Sequence, residues 1–216
     1  MTERLPLVHR ILGRAGALLL DRVAMPLAVV RPLMLLENAV ENRRGGWERL
    51  RDEGEAARYA VVREVVERYA RDGLVLDLGC SQAILAEGLT CRRYVGVDRS
   101  GPALRRARVR DRPGTELVEA DAASYVPDEA PDVVVLNEVL YYLPHPVTVA
   151  RRHARGLAPG GVLVVCCYAR TWPTRHLLVR LRRRLEQLEL HDVVAGRHAW
   201  EVAVLRPHPD LSGQPA

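Results

Sequence analysis

The residues whose types and spacing carry the most chemistry run from Val75 to Leu85, VLDLGCSQAIL, followed by Tyr94 to Asp98, YVGVD. An apolar run closes around Asp77, Gly79 supplies a tight turn, and a helix-forming segment follows. A second apolar run ends in another acid, Asp98. Such a strand–turn–helix–strand unit places a carboxylate where a bound ribose would sit, so it points to a nucleoside-bearing cofactor. A dinucleotide site needs G-x-G-x-x-G, because bare backbone must approach a pyrophosphate. Here the turn reads Gly79-Cys80-Ser81-Gln82-Ala83, with only the first glycine, which argues against NAD or FAD. A cofactor without a phosphate demands less: one tight turn, close backbone approach and an acid on the ribose.

The surrounding pattern supplies the elements that must position these groups. Strand-like runs cover Leu74–Leu78, Tyr94–Val97, Glu116–Glu119, Asp132–Leu136 and Val162–Tyr168. Helices are expected over Gln82–Leu89, Pro102–Arg110 and Val147–Leu157. An earlier helix spans about Gly54 to Arg71, burying Ala57, Ala60, Val61, Val65 and Tyr69. Short β-branched runs alternating with helices predict a parallel sheet covered on both faces, in a doubly wound α/β fold. Leu177, Leu178, Leu181, Leu185 and Leu188 form a further helical face. The runs His191–Val194 and Ala199–Leu205 are too close for a parallel crossover and predict an antiparallel hairpin.

The 216 residues fit one domain with a terminal elaboration, and 48% hydrophobic content sustains a core. All 32 basic residues are Arg, spread along the chain at a net charge of +5. That distribution reads as a solvated surface, and no nucleic-acid partner is expected. Cys80, Cys91, Cys166 and Cys167 form no CxxC pair and are expected as reduced thiols in a cytoplasmic protein. No apolar run reaches the roughly 20 residues of a membrane span, and no signal peptide is read, which leaves at most a peripheral membrane contact.

Together these segments resemble the class I S-adenosylmethionine-dependent methyltransferases. VLDLGC matches the family's first motif, with Ser81 and Ala83 where glycines usually stand. Asp98, followed by Arg99, matches the acid that binds the ribose hydroxyls. Asp121-Ala122 matches the adenine contact. DVVVLNEVLYYL, Asp132 to Leu143, matches the fourth strand and the active-site lip after it, and LAPGGVLVV, Leu157 to Val165, matches the turn into the fifth strand. The resemblance implies a mostly parallel seven-stranded sheet, with an antiparallel C-terminal strand and an N-terminal helical extension. It implies S-adenosyl-L-methionine as cofactor and S-adenosyl-L-homocysteine as product. The implied cofactor-binding residues are Arg58, Tyr59, Asp77, Gly79, Ser81, Asp98, Arg99, Asp121, Ala122, Asn137, Glu138 and Tyr142. Trp47 joins Arg58 and Tyr59 as part of a lid, with Arg58 a partner for the cofactor carboxylate. Tyr59 reads equally as helix-face packing.

EVLYYL is also similar to the segment in NodS-like methyltransferases, which act on an amino sugar. The expectation is therefore O-methylation of a small-molecule hydroxyl on a saccharide-like acceptor, independent of metal. A hydroxyl needs a base; His145 is the candidate, because an imidazole can accept a proton near neutral pH, with Glu138 and Tyr141 beside it. His145 reads alternatively as the surface start of the next helix, and His198 is a second candidate base. N-methylation of an amino sugar or other amine is the alternative reaction. An RNA or protein methyltransferase, and a catalytically silent cofactor-binding protein, are the other readings. Residues 1–45 are expected as a helical cap or homodimer element, with kinks at Pro26 and Pro32. Residues 46–207 are the expected methyltransferase domain, and 208–216 a flexible tail.

Overall fold

Short apolar runs give seven strands that pair into one sheet, whose central strands are buried on both faces and whose two edge strands are partly exposed. A computed structural model describes residues 50–208 apart from residue 110, together with the helical positions Val29, Arg31, Pro32, Leu35 and Leu36. Trp47, most of the expected 1–45 cap and the tail beyond His208 lie outside the described residues.

Helix α1 (Glu53–Ala70) leads into β1 (Leu74–Leu78) and β2 (Arg93–Asp98). Helix α2 (Gly101–Arg105) precedes β3 (Thr115–Glu119) and β4 (Val133–Asn137). Helix α3 (Pro146–Arg155), β5 (Val162–Tyr168), α4 (Trp172–Arg182), β6 (Glu186–Ala195) and β7 (His198–Arg206) complete the chain. The strand order is β3-β2-β1-β4-β5-β7-β6. Strands β1 to β5 pair in parallel, and β7 runs antiparallel to both β5 and β6. This is the Rossmann-like methyltransferase fold expected from the sequence. The order reverses between β1 and β4, so the loops leaving those strands diverge and open a crevice at their carboxyl ends.

Period-two alternation splits the core into two layers. Leu76, Leu78, Val134, Leu136, Leu163 and Val165 face Ala150, Leu177, Leu178 and Leu181 of α3 and α4. Val75, Val133, Val135, Val162 and Val164 face Val62, Val65 and Val66 of α1. Each such fully buried side chain contributes about 1.5–3 kcal/mol, which fixes the sheet that carries the crevice.

The structure corrects four details. The segment Gln82–Leu89 is not a helix but a turn followed by a single 3₁₀ turn at Ile84–Ala86. Ala83 takes a left-handed φ of 51°. Gly88, at φ 78°, is a second left-handed residue within the segment, so helical hydrogen bonds cannot run through it, and Arg112 binds the Ala86 and Leu89 carbonyls at 2.8 and 2.5 Å. Helix α2 stops at Arg105, short of the expected Arg110. The leucine face ends with α4 at Arg182, and Leu188 lies in β6. The buried face of α1 is Arg58, Val62, Val65, Val66 and Ala70, and Ala60 is exposed. Of the expected face, Val65 is buried and Ala57, Val61 and Tyr69 are partly buried against the core, so only Ala60 departs from it.

Candidate functional site

The turn after β1 is tied to the end of β2. Gly79 N–H and Cys80 N–H both donate to Val97 O, at 2.7 and 3.1 Å. Gly79 has φ +77°, and a Cβ there would lie 2.3 Å from Val139 Cγ2, so the position excludes a side chain. Ser81 N–H donates to one oxygen of Asp98 at 2.8 Å, and Ser100 N–H to the other at 2.8 Å. Each carboxylate oxygen has a second lone pair, so Asp98 keeps acceptor capacity for a ribose diol. Burial pushes its carboxyl above the ordinary range, against the pull of the Ser100 and Ser81 N–H groups. Ser81 itself sits at φ 52°, and its hydroxyl oxygen is buried without a partner. The two positions where the family usually carries glycine, 81 and 83, thus adopt the backbone that glycine favours.

Asp77 lies one layer beneath. It is buried and accepts a hydrogen bond from Tyr94 OH at 2.6 Å. Burial pushes its carboxyl up to about 7, against the pull of that bond. Along the adjacent edge, exposed Arg99 follows Asp98, and exposed Asp121 caps its own loop through Ala123 N–H at 3.1 Å. Buried Ala122 offers its carbonyl to His153 of α3 at 3.1 Å.

Across the crevice, Arg58 of α1 lies over the end of β4. Its Nη1 donates to Asn137 Oδ1 at 2.5 Å, and Nε and Nη2 donate to Glu55 Oε2 at 3.0 and 2.7 Å. Tyr59 and Trp200 cover its faces, with centroids 4.4 and 5.7 Å from the guanidinium carbon. Glu138, at φ 58°, takes Tyr141 OH at 2.9 Å and Tyr168 N–H at 2.6 Å, one on each oxygen. Burial raises its carboxyl, while Arg58 and the Tyr141 hydroxyl oppose the rise. Tyr142 packs on Tyr141 with ring centroids 4.7 Å apart.

The two histidines separate. His145 is exposed at the N-cap of α3, with φ 45° and no side-chain cap bond. His198, at the start of β7, stacks on Trp200 at 5.5 Å and stands edge-on to Tyr168 at 6.3 Å. Tyr168, Trp200, Tyr94 and Glu55 were not singled out in the sequence. Tyr168 and Trp200 meet because β5 and β7 pair in that register, whereas Glu55 and Arg58 stand at helical i,i+3 spacing that the sequence does display. Among the described residues, no group of three or more His, Cys, Asp or Glu is placed to hold a metal, and no helix is long and apolar enough to cross a membrane.

These groups fit the expected cofactor. The bare turn at Gly79 admits close approach, Asp98 retains lone pairs, and the Ser81 hydroxyl lacks a partner. An acid-rich crevice with one buried arginine suits a ligand bearing a sulfonium, an ammonium and a carboxylate.

Comparison with known proteins agrees. The family model of a methyltransferase domain matches residues 76–165. The trans-aconitate 2-methyltransferase of Afipia carboxidovorans is 31% identical over 141 residues, covering 63% of this chain and 53% of that protein. That of Methylobacterium nodulans is 42% identical over 95 residues, covering 42% of this chain and 36% of that protein. The chain thus spans about half or less of the length of these curated relatives. The N-methyltransferase NodS from Bradyrhizobium japonicum WM9 shares the fold, with TM-score 0.64 and 22% identity over 73% of this chain and 98% of that one. Its complex with S-adenosyl-L-homocysteine gives TM-score 0.60 and 25% identity, over 74% of this chain and 90% of that one. Residues 76–165 thus match a methyltransferase domain, and the chain has the Rossmann-like methyltransferase fold.

Proposed function

We propose that this protein transfers a methyl group from S-adenosyl-L-methionine to a small-molecule acceptor, with residues 46–207 as the transferase domain. The observation that carries this reading is the turn–acid unit, in which Ser81 and Ser100 N–H groups hold Asp98 beside the bare turn at Gly79. When bound, the cofactor supplies a methyl already activated by its sulfonium. Asp98 would receive the ribose, Asp121 and Ala122 the adenine edge, and Arg58 the carboxylate. Calorimetry with S-adenosyl-L-homocysteine tests this directly: no binding means a silent or differently used fold.

We infer further that the acceptor is a small carboxylate, methylated on oxygen. With the adenosine received by Asp98 and Asp121 at the β2 and β3 ends, the β4, β5 and β7 ends are left for the acceptor. There, Glu138 already takes a hydrogen bond on each oxygen, so it serves better as a scaffold than as a base. Arg170 follows β5, and Arg197 occupies the β6–β7 turn beside His198, which lends the rim positive charge. A carboxylate needs no base, only an orienting cation. The trans-aconitate methyltransferase relatives support the same class.

The second reading keeps the saccharide-like acceptor, O-methylated with His145 as base or N-methylated at an amine. The similarity to NodS and the wall of Tyr168, His198 and Trp200, suited to a sugar ring, favour it. Turnover with trans-aconitate and with glucosamine, in wild type and His145→Ala, separates the two. For a carboxylate, His145→Ala retains activity and the rate stays flat above about pH 6. Loss of turnover with intact cofactor affinity restores His145 as base. A rate on glucosamine that climbs with pH, insensitive to His145→Ala, indicates an amine.

A further inference from the structure

Arg58 is 1% exposed, while its partner Glu55, in the first turn of α1, is 21% exposed. An ordinary i,i+3 surface pair leaves both side chains in water; here the cation is sealed in and the anion is not. Tyr59 and Trp200 hold the guanidinium faces, and Asn137 takes one terminal nitrogen. The remaining Nε–Nη2 fork has the geometry that a carboxylate grips through two parallel bonds. Glu55 spends a single oxygen, Oε2, on both nitrogens. That is a weaker grip than a bidentate pair, made by a side chain that can swing out to water without leaving its helix. Removing a counter-ion from a buried arginine is costly unless another anion replaces it.

We propose that Glu55 is an internal competitor for the cofactor: its carboxylate holds the Arg58 fork that the methionine carboxylate of S-adenosyl-L-methionine must take. This rests on the cofactor reading given above. Binding then exchanges one carboxylate for another at constant charge around Arg58, and Glu55 moves into solvent. The exchange keeps Arg58 oriented and neutralised throughout, and it lowers cofactor affinity below what the fork would otherwise give.

Calorimetry on the full chain with two probes tests this. S-adenosyl-L-homocysteine carries the carboxylate; 5′-methylthioadenosine carries the nucleoside and sulfur without it. Glu55→Gln is expected to tighten S-adenosyl-L-homocysteine by about tenfold, the scale of one charge-assisted hydrogen bond, and to leave 5′-methylthioadenosine unchanged. Unchanged or weaker S-adenosyl-L-homocysteine binding overturns the proposal, as does an equal gain for both probes, which would report general loosening. Glu55→Asp keeps a negative charge near Arg58 and guards against a folding defect; its shorter reach should give a smaller gain in the same direction, and no gain overturns the proposal. Wild-type protein that binds neither probe removes the cofactor reading itself, an outcome distinct from failure of the exchange.

Discussion

The turn after β1 and the lip after β4 meet at the same crevice, and both hold non-glycine residues in left-handed backbone. Ser81 and Ala83 do so in the turn, with φ of 52° and 51°; Glu138 and His145 do so in the lip, with φ of 58° and 45°. The turn is held by neighbours on the next strand, through Val97 O and the Asp98 carboxylate. The lip is held by distant elements. Glu138 binds the Tyr168 N–H at the end of β5, and Asn137 is gripped by Arg58 from α1. A turn whose shape is a local backbone preference should accept glycine in place of its side chains. A lip whose side chains tie the sheet together should not.

The substitution that strikes both regions is Gly79→Ala. Its Cβ would overlap Val139 of the lip at 2.3 Å and force an unfavourable φ of +77° in the turn. Thermal unfolding should show a loss of about 2–4 kcal/mol, with S-adenosyl-L-homocysteine binding lost as well. An unshifted melting temperature would mean that the two regions are not in contact through this residue.

Glu138→Ala strikes the lip alone. It strands the Tyr168 N–H and the Tyr141 hydroxyl, at an expected cost of about 2–3 kcal/mol in denaturant unfolding. Glu138→Gln retains an acceptor oxygen and should cost less; equal costs would assign the effect to charge and not to unpaired donors.

Asp77→Asn probes the layer beneath the turn through pH. Burial raises the folded-state pKa of Asp77 to about 7, above the unfolded value near about 4. Its neutral form therefore favours the fold. That stability is fully present below about pH 4 and is lost as pH rises through about 7. Asn has no proton to lose, so the variant's melting temperature should fall less than wild type's between those limits. Parallel curves would place the titration elsewhere.

The smallest effect is expected at Ser81→Gly. Relief of left-handed strain is offset by the greater freedom of glycine in the unfolded chain, so stability should shift by less than about 1 kcal/mol. Glu138→Gly relieves the same kind of strain yet should cost at least as much as Glu138→Ala. Similar small shifts at both positions would erase the distinction between turn and lip.

Much of the turn–acid unit was legible beforehand because its signals are local. Gly79, Asp98 and the apolar runs around them sit within a short stretch, where backbone preference and side-chain period act directly. The helix expected over Gln82–Leu89 does not form because Ala83 and Gly88 take left-handed backbone within it, which residue type alone does not announce at an alanine. The region around the lip and the closing hairpin was less legible. His145 and His198 look equivalent as residue types, and only the fold leaves one exposed at a helix cap and stacks the other on Trp200.

The sequence by itself determined the succession of strands, the antiparallel closing hairpin and the place of the glycine turn after β1. Hydrophobic period and glycine position depend on neighbouring residues alone. Tertiary structure decided that Arg58 is sealed against Glu55 and Asn137, and that Glu138 is occupied by Tyr141 and Tyr168. Those outcomes depend on strand order and register, which bring together side chains far apart in the chain, and burial then sets the strength of each charge.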